Sequence, residues 1–241
     1  MTGAGGARAA VLGLVADAVA ALPAGRVRRI GVDGVDGAGK TVFADELAAV
    51  LAGRGHAVIR ASVDAFHQPA AVRHRRGRGS PQGYFHDSYD YEALARVLLD
   101  PLLPAGSGRI VRRIHDVHRE AADVLSRRAG GLRRGARVRR DLPPPSRARG
   151  LLDRSVYLDV PFAVSIPRGA HRGYGDPDPA APSNHRYVEG QRLYLRRCAP
   201  RDRASFVIDN TELSRPRVVR LRARPPGAAQ PAAGAPHAAT P

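Results

Sequence analysis

The run Gly34-Val35-Asp36-Gly37-Ala38-Gly39-Lys40-Thr41 matches G-x-x-x-x-G-K-[ST] at every fixed position. Glycines let backbone N–H groups converge on phosphate oxygens with no Cβ in the way. A helix starting at Lys40 adds the positive end of its dipole. Lys40 brings a flexible point charge to the β- and γ-phosphates, and the Thr41 hydroxyl is placed to ligate Mg²⁺. Lys40 is also the chain's single lysine, in a sequence that writes every other basic aliphatic residue as arginine. The planar guanidinium is a poor substitute at that position.

A second candidate lies 24 residues after Lys40, where Asp64 closes the run Ala57-Val58-Ile59-Arg60-Ala61-Ser62-Val63-Asp64. Strand C-termini of a doubly wound sheet line the ligand crevice. An aspartate there can take the proton of an attacking hydroxyl, or simply cap a turn. Phe66 either stacks on a base or packs, and His67 either touches a sugar or lies on the surface. Arg168 and Arg172, four apart, share one helix face ahead of a Gly/Pro-rich loop, 173–183. They are either lid residues that offset charge on a transferred phosphoryl group or a solvated pair.

The elements that must position these groups alternate. Strands are expected at 27–33, 57–63, 109–114, 155–160 and 205–209. Helices are expected at 11–22, 41–51, 89–99 (capped by Ser88), 161–172 and 185–197. That alternation predicts an α/β fold: a P-loop NTPase with a parallel sheet, helices on both faces and a small lid at about 165–190. Residues 1–214 form the domain, and an Arg/Pro/Ala-rich tail without structure is expected from 215.

Composition narrows the classes. No run of 18 apolar residues exists, so no membrane-spanning helix or membrane partner is expected. The apolar run at 11–22 resembles a secretory leader, but Asp17 interrupts it and its spacing is helical. A single cysteine, Cys198, rules out an intrachain disulfide framework and fits a cytoplasmic setting. His115 and His118 flank Asp116, but no further ligands recur at a metal-site spacing. The net charge is +17, with 39 Lys+Arg against 22 acids. Such a balance often marks nucleic-acid binding. Here the skew from Lys to Arg points first to a GC-rich gene, and nucleic acid is not expected as a partner.

Four segments carry a family resemblance. Gly34–Thr41, Ser62-Val63-Asp64-Ala65-Phe66-His67 and the stretch from Tyr84-Phe85-His86-Asp87 to Tyr91, together with Ile114-His115-Asp116, resemble the uridine kinase family of P-loop kinases, in particular its actinobacterial uridine kinase-like branch. The similarity spans about residues 8–119 and 154–213. It implies ATP (or GTP) with Mg²⁺ as donor and a nucleoside-like small-molecule hydroxyl as acceptor. It makes Asp64 the base and puts Phe66, Phe85, Asp87, His115 and Asp116 near the acceptor. It places Arg168 and Arg172 as lid arginines, and Gln191 and Tyr194 in the helix after the lid. Other P-loop kinases, with pantothenate-like or phosphosugar acceptors, remain open. So do an Arg-rich NTP-dependent nucleic-acid binder and an inactive relative. Oligomeric state is not legible.

One stretch departs from the resemblance. Residues 121–152 hold nine arginines and two aspartates, where a buried parallel strand should read as a near-continuous apolar run. Unpartnered buried arginines are costly, and Pro143-Pro144-Pro145 cannot sit inside a central strand. Read from the second base of each codon, residues 135–152 permit V-L-V-F-D-G-I-F-L-H-R-P-E-L-A-G-Y-W, an apolar strand followed by Asp-Gly. A shifted reading frame is therefore set against a genuine Arg-rich insertion.

Overall fold

The computed structural model describes residues 4–128, 136–140 and 152–222, with backbone alone for 4–5, 124–128 and 136–140. Helix α1 (Ala4–Ala20) precedes β1 (Arg28–Gly34), α2 (Lys40–Gly53) and β2 (Val58–Ser62). A 3₁₀ turn, Val63–Phe66, and the short helices α3 (Ala70–Arg73), α4 (Pro81–Asp87) and α5 (Tyr91–Leu94) follow. Then come β3 (Arg109–Asp116), β4 (Ala121–Arg128), β5 (Ala136–Arg140) and β6 (Arg154–Asp159). Helices α6 (Phe162–Ala170), α7 (His185–Cys198) and α8 (Pro200–Arg203), then β7 (Phe206–Asp209) and β8 (Arg217–Leu221), complete the order.

The main sheet runs β2-β5-β1-β6-β7-β8, parallel except for β8, which pairs antiparallel with β7. Both faces are covered, and the period of two along the strands shows how. Val156, Leu158, Phe206 and Ile208 pack with Val15, Val19, Phe43 and Leu47 of α1 and α2. The alternate residues Tyr157 and Val207 pack on the opposite face with Leu195 of α7. A separate cluster of Ile59, Val63, Phe66, Leu94, Leu98 and Ile110 ties β2 and its 3₁₀ turn to β3. The expected α/β fold, parallel sheet with helices on both faces, is the one present.

Four expectations are corrected. The strand at 109–114 does not join the parallel sheet; β3 and β4 form an antiparallel hairpin of their own. Local pairing across the Val117–Glu120 turn replaces a long crossover. The helix expected at 89–99 begins instead at Tyr91, where the Asp90 side chain accepts from the Ala93 N–H at 2.8 Å, and it widens into a π turn at Ala95–Leu99. Residues 121–152, read as too Arg- and Pro-rich for a buried strand, supply both β4 and β5, and β5 fills the sheet position between β2 and β1. The tail expected from 215 does not hold at its start, where Arg217–Leu221 adds β8 to the sheet; residues 223–241 lie outside the described residues. Residues 129–135 and 141–151, within the anomalous stretch, also lie outside them.

The chain re-enters the sheet after that stretch through a specific contact. Asp153 is buried, accepts the Arg29 N–H at 2.7 Å and pairs with Arg26 at 2.8 Å. Among the described residues no helix is long and apolar enough to cross a membrane.

Candidate active site

Strand β1 delivers the chain into the loop 35–39, and α2 starts at Lys40. Gly37 has φ 76°, and a Cβ there would stand 1.9 Å from the Ser165 carbonyl oxygen. Helix α6 is therefore packed directly on the loop backbone. No side chain caps the first turn of α2, which leaves its amides and dipole for an anion. Lys40 is buried; its Nζ donates to the carbonyls of Gly34 at 2.7 Å and Val35 at 3.0 Å. From the far side, fully buried Asn210 donates to the Ala38 carbonyl at 2.8 Å.

Asp64 sits at the same end of the sheet, in the 3₁₀ turn that follows β2. The Ser62 Oγ accepts from the Asp64 N–H at 3.2 Å and donates to Asp64 Oδ2 at 3.3 Å. The hydroxyl thus starts the turn and orients the carboxylate. The His67 Nδ1–H donates to the Asp64 carbonyl at 2.7 Å, since a carbonyl can only accept. Burial is the main cause that lowers the His67 pKa, so this ring favours its neutral form.

The β3–β4 hairpin closes over this turn. Thr41, Asp64, His115, Asp116 and His118 line one cleft of about 350 Å³, with Arg60 and Arg113 at its walls. The Asp116 carboxylate accepts from the backbone N–H groups of Arg119 and His118, which hold it below its ordinary value. Glu120, in the hairpin turn, accepts from the Ala70 N–H at 2.9 Å and pairs with Arg73, fastening the hairpin to α3. Arg60 is paired with Asp45 and Arg113 with Asp123, so both wall cations are largely offset.

A second crevice lies on the other flank of the loop. The chain has seven tyrosines, and Tyr84, Tyr89, Tyr91 and Tyr194 line this crevice with Phe85, Lys40, Asp36 and Gln191. Tyr194 OH donates to Asp33 Oδ2 at 2.6 Å, and burial followed by the Asp33 charge raises the phenol well above its usual value. Tyr84 presses on α7, since a Cβ at Gly190 would meet its Cδ1 at 2.5 Å.

The residues singled out in the sequence thus fall into three groups. Thr41, Asp64, His115 and Asp116 meet in the first cleft; Lys40, Phe85 and Gln191 meet in the second. Gly34, Val35, Asp36 and Tyr194 also line the second crevice, while Phe66, His67, Asp87 and Arg168 serve packing and scaffolding. Phe66 is fully buried among Ile59, Val63 and Leu94, which resolves its stacking-or-packing alternative as packing. His67 packs its ring 4.5 Å from that of Tyr89. Asp87 is buried, with both oxygens engaged by Arg75 and Arg76, so its place is in the scaffold of the 75–87 segment. Arg168 does not pair with Arg172 at the loop. Its guanidinium donates to the carbonyls of Asn210, at 3.1 Å, and Thr211, while Arg172 is exposed. The expected shared helix face is not present, because α6 ends at Ala170 and is capped by His171, so Arg172 lies beyond the helix while Arg168 turns to carbonyls after β7.

Sequence reasoning missed Asp33, Tyr84, Tyr89, Tyr91 and Gly190 as site residues. The concentration of tyrosine at 84–91 is a signal that was available. Asp33 gave one too, as a carboxylate at the end of β1 directly before the glycine loop.

No protein-family description matches this chain, and no curated protein matches its sequence. Solved structures do match its fold. A protein titled a possible uridine kinase, from Bacillus stearothermophilus, is similar at TM-score 0.64 and 20% identity, over 81% of this chain and 96% of that one. D-glycerate 3-kinase from Cryptococcus neoformans is similar at TM-score 0.52 and 13% identity, over 77% of this chain and 87% of that one. These likenesses are of fold, a parallel-dominated sheet with helices on both faces.

Proposed function

We propose that this chain transfers the γ-phosphoryl group of ATP (or GTP) to a hydroxyl of a small molecule, most specifically a nucleoside. The observation that carries this reading is the convergence of Thr41 and Asp64 in one cleft beside the uncapped start of α2. The loop amides and Lys40 hold the donor phosphates, and Lys40 spreads charge as the γ-phosphoryl group moves. The Thr41 hydroxyl, a hard oxygen donor in this cleft, would hold Mg²⁺, which would supply charge neutralisation for the phosphates. Asp64, oriented by Ser62, takes the proton of the acceptor hydroxyl as it attacks. His67 and Glu120 keep the turn and the hairpin in register around it.

Two features support a nucleoside-like acceptor. The aromatic walls of the second crevice offer flat faces for a planar base. The wall arginines of the first cleft are already paired with Asp45 and Asp123, which leaves little free positive charge for an anionic acceptor. The test is ADP release from Mg·ATP across a panel of nucleosides, pantothenate-like diols, phosphosugars and glycerate. Nucleoside-dependent ADP formation is expected. ADP formation with glycerate or a phosphosugar alone would displace the nucleoside reading and keep the kinase. A protein that binds Mg·ATP yet phosphorylates no hydroxyl in the panel would argue against both.

A further inference from the structure

Asp36 is the one carboxylate inside the phosphate loop, and its surroundings are built rather than incidental. Its Oδ1 lies 3.5 Å from Lys40 Nζ. Its Oδ2 accepts from Tyr84 OH at 3.0 Å and from Gln191 Nε2 at 3.2 Å. Its backbone N–H donates to Gln191 Oε1 at 2.6 Å. Gln191 is buried, and its second amide proton goes to the Tyr187 carbonyl at 3.2 Å. Both Nε2 protons of Gln191 are therefore committed, which leaves little capacity to read an acceptor.

A carboxylate at this place poses an electrostatic problem. It competes with phosphate for the buried Lys40 ammonium, and it repels a γ-phosphate, an effect that solvent tempers because the Asp36 side chain is 45% exposed. Two donors from separate elements, α4 and α7, pull its far oxygen away from Lys40. Resting on the kinase reading above, we propose that Gln191 and Tyr84 form a latch that restrains Asp36 and so keeps Lys40 available to the nucleotide. Gln191 is then a positioning residue for the phosphate loop. Because Tyr84 and Gln191 also line the aromatic crevice, an acceptor seated there touches the latch, and the latch links occupancy of the crevice to the position of the Asp36 carboxylate.

The test is a double-mutant cycle read as Mg·ATP affinity by titration calorimetry, with no acceptor present. Tyr84→Phe keeps the ring against Gly190 and removes one charged hydrogen bond, so affinity should fall about tenfold. In the Asp36→Asn background, where no carboxylate competes for Lys40, the same change should fall within twofold. Gln191→Glu should behave as Tyr84→Phe does, with its defect relieved by Asp36→Asn. Thermal melts of every variant separate loss of fold from loss of affinity. Equal losses from Tyr84→Phe in both backgrounds would overturn the latch. So would an unchanged ATP affinity with a raised KM for the acceptor, which would return Tyr84 and Gln191 to acceptor contacts. Absence of Mg·ATP binding by the wild-type chain would instead remove the kinase reading, and the latch with it.

Discussion

The Asp64 carboxylate is prepared by its neighbours: Ser62 fixes its oxygen, and His67 fixes its carbonyl. If it is the proton acceptor, Asp64→Asn should lower kcat by about 10²–10⁴-fold. Mg·ATP affinity should change little, since no phosphate contact is lost. A matched fall in ATP affinity would place Asp64 on the donor side instead. Asp87 carries a different kind of prediction. Burial alone would push its carboxyl up, but the hydrogen bonds and charges of Arg75 and Arg76 outweigh it and hold the carboxyl below its ordinary value. A depressed folded-state value stabilises the protein above the unfolded carboxylate value, near about pH 3.9. That contribution is lost as pH falls through the folded value. Asp87→Ala should cost about 1–3 kcal/mol at neutral pH and remove part of the acid sensitivity, as read from urea midpoints between neutral and acid pH. An unchanged pH profile would show that other carboxylates dominate acid unfolding.

Between elements, the contact that most affects the crevice is α4 on α7. Tyr84 packs where Gly190 has no Cβ and meets Tyr187 edge-on at 5.4 Å. Arg186 adds a polar tie, donating to the carbonyls of Arg78 at 2.9 Å and Arg73 at 3.0 Å. Gly190→Ala should therefore force α4 outward, cost about 1–3 kcal/mol in stability and raise the acceptor KM more than the ATP KM. Equal effects on both KM values would mean that the shift spreads into the phosphate loop. Much at this scale was legible in sequence. The strand–glycine turn–helix frame of the phosphate loop, β6 and β7, and helix α7 all fall where hydrophobic period and turn residues put them. What was not legible depends on tertiary partners. The hairpin of β3 and β4 departs from simple alternation because its pairing is local. Arg168 went to backbone carbonyls brought near it by β7, and Phe66 went to a core whose other wall, Leu94 and Ile110, lies far along the chain.

For the molecule as a whole, the high positive charge and the residues of β5 are one problem. The backbone of Ala136–Arg140 occupies a sheet position flanked on both sides by parallel strands, where apolar residues are expected. Asp153, just beyond the anomalous stretch, is knit into β1 through Arg26 and Arg29. We therefore hold to the shifted-frame proposal for residues 135–152. A chain carrying the alternative reading V-L-V-F-D-G-I-F-L-H-R-P-E-L-A-G-Y-W there should melt at a higher temperature than the present one, and should carry less positive charge. A lower melting temperature would favour a genuine insertion. If the insertion is genuine and binds nucleic acid, affinity for duplex or single-stranded DNA should fall steeply with salt. The proposal expects only weak binding, without effect on ATP turnover.

The central claim is that a glycine loop holding a triphosphate and a carboxylate beyond it act on one hydroxyl. It is tested most directly by nucleoside-dependent ADP formation in wild type, Lys40→Ala and Asp64→Asn, with Mg·ATP binding measured on the same samples. Wild type should bind and turn over, Lys40→Ala should lose binding, and Asp64→Asn should bind but not turn over. Undiminished turnover by Asp64→Asn, or undiminished binding by Lys40→Ala, would contradict it.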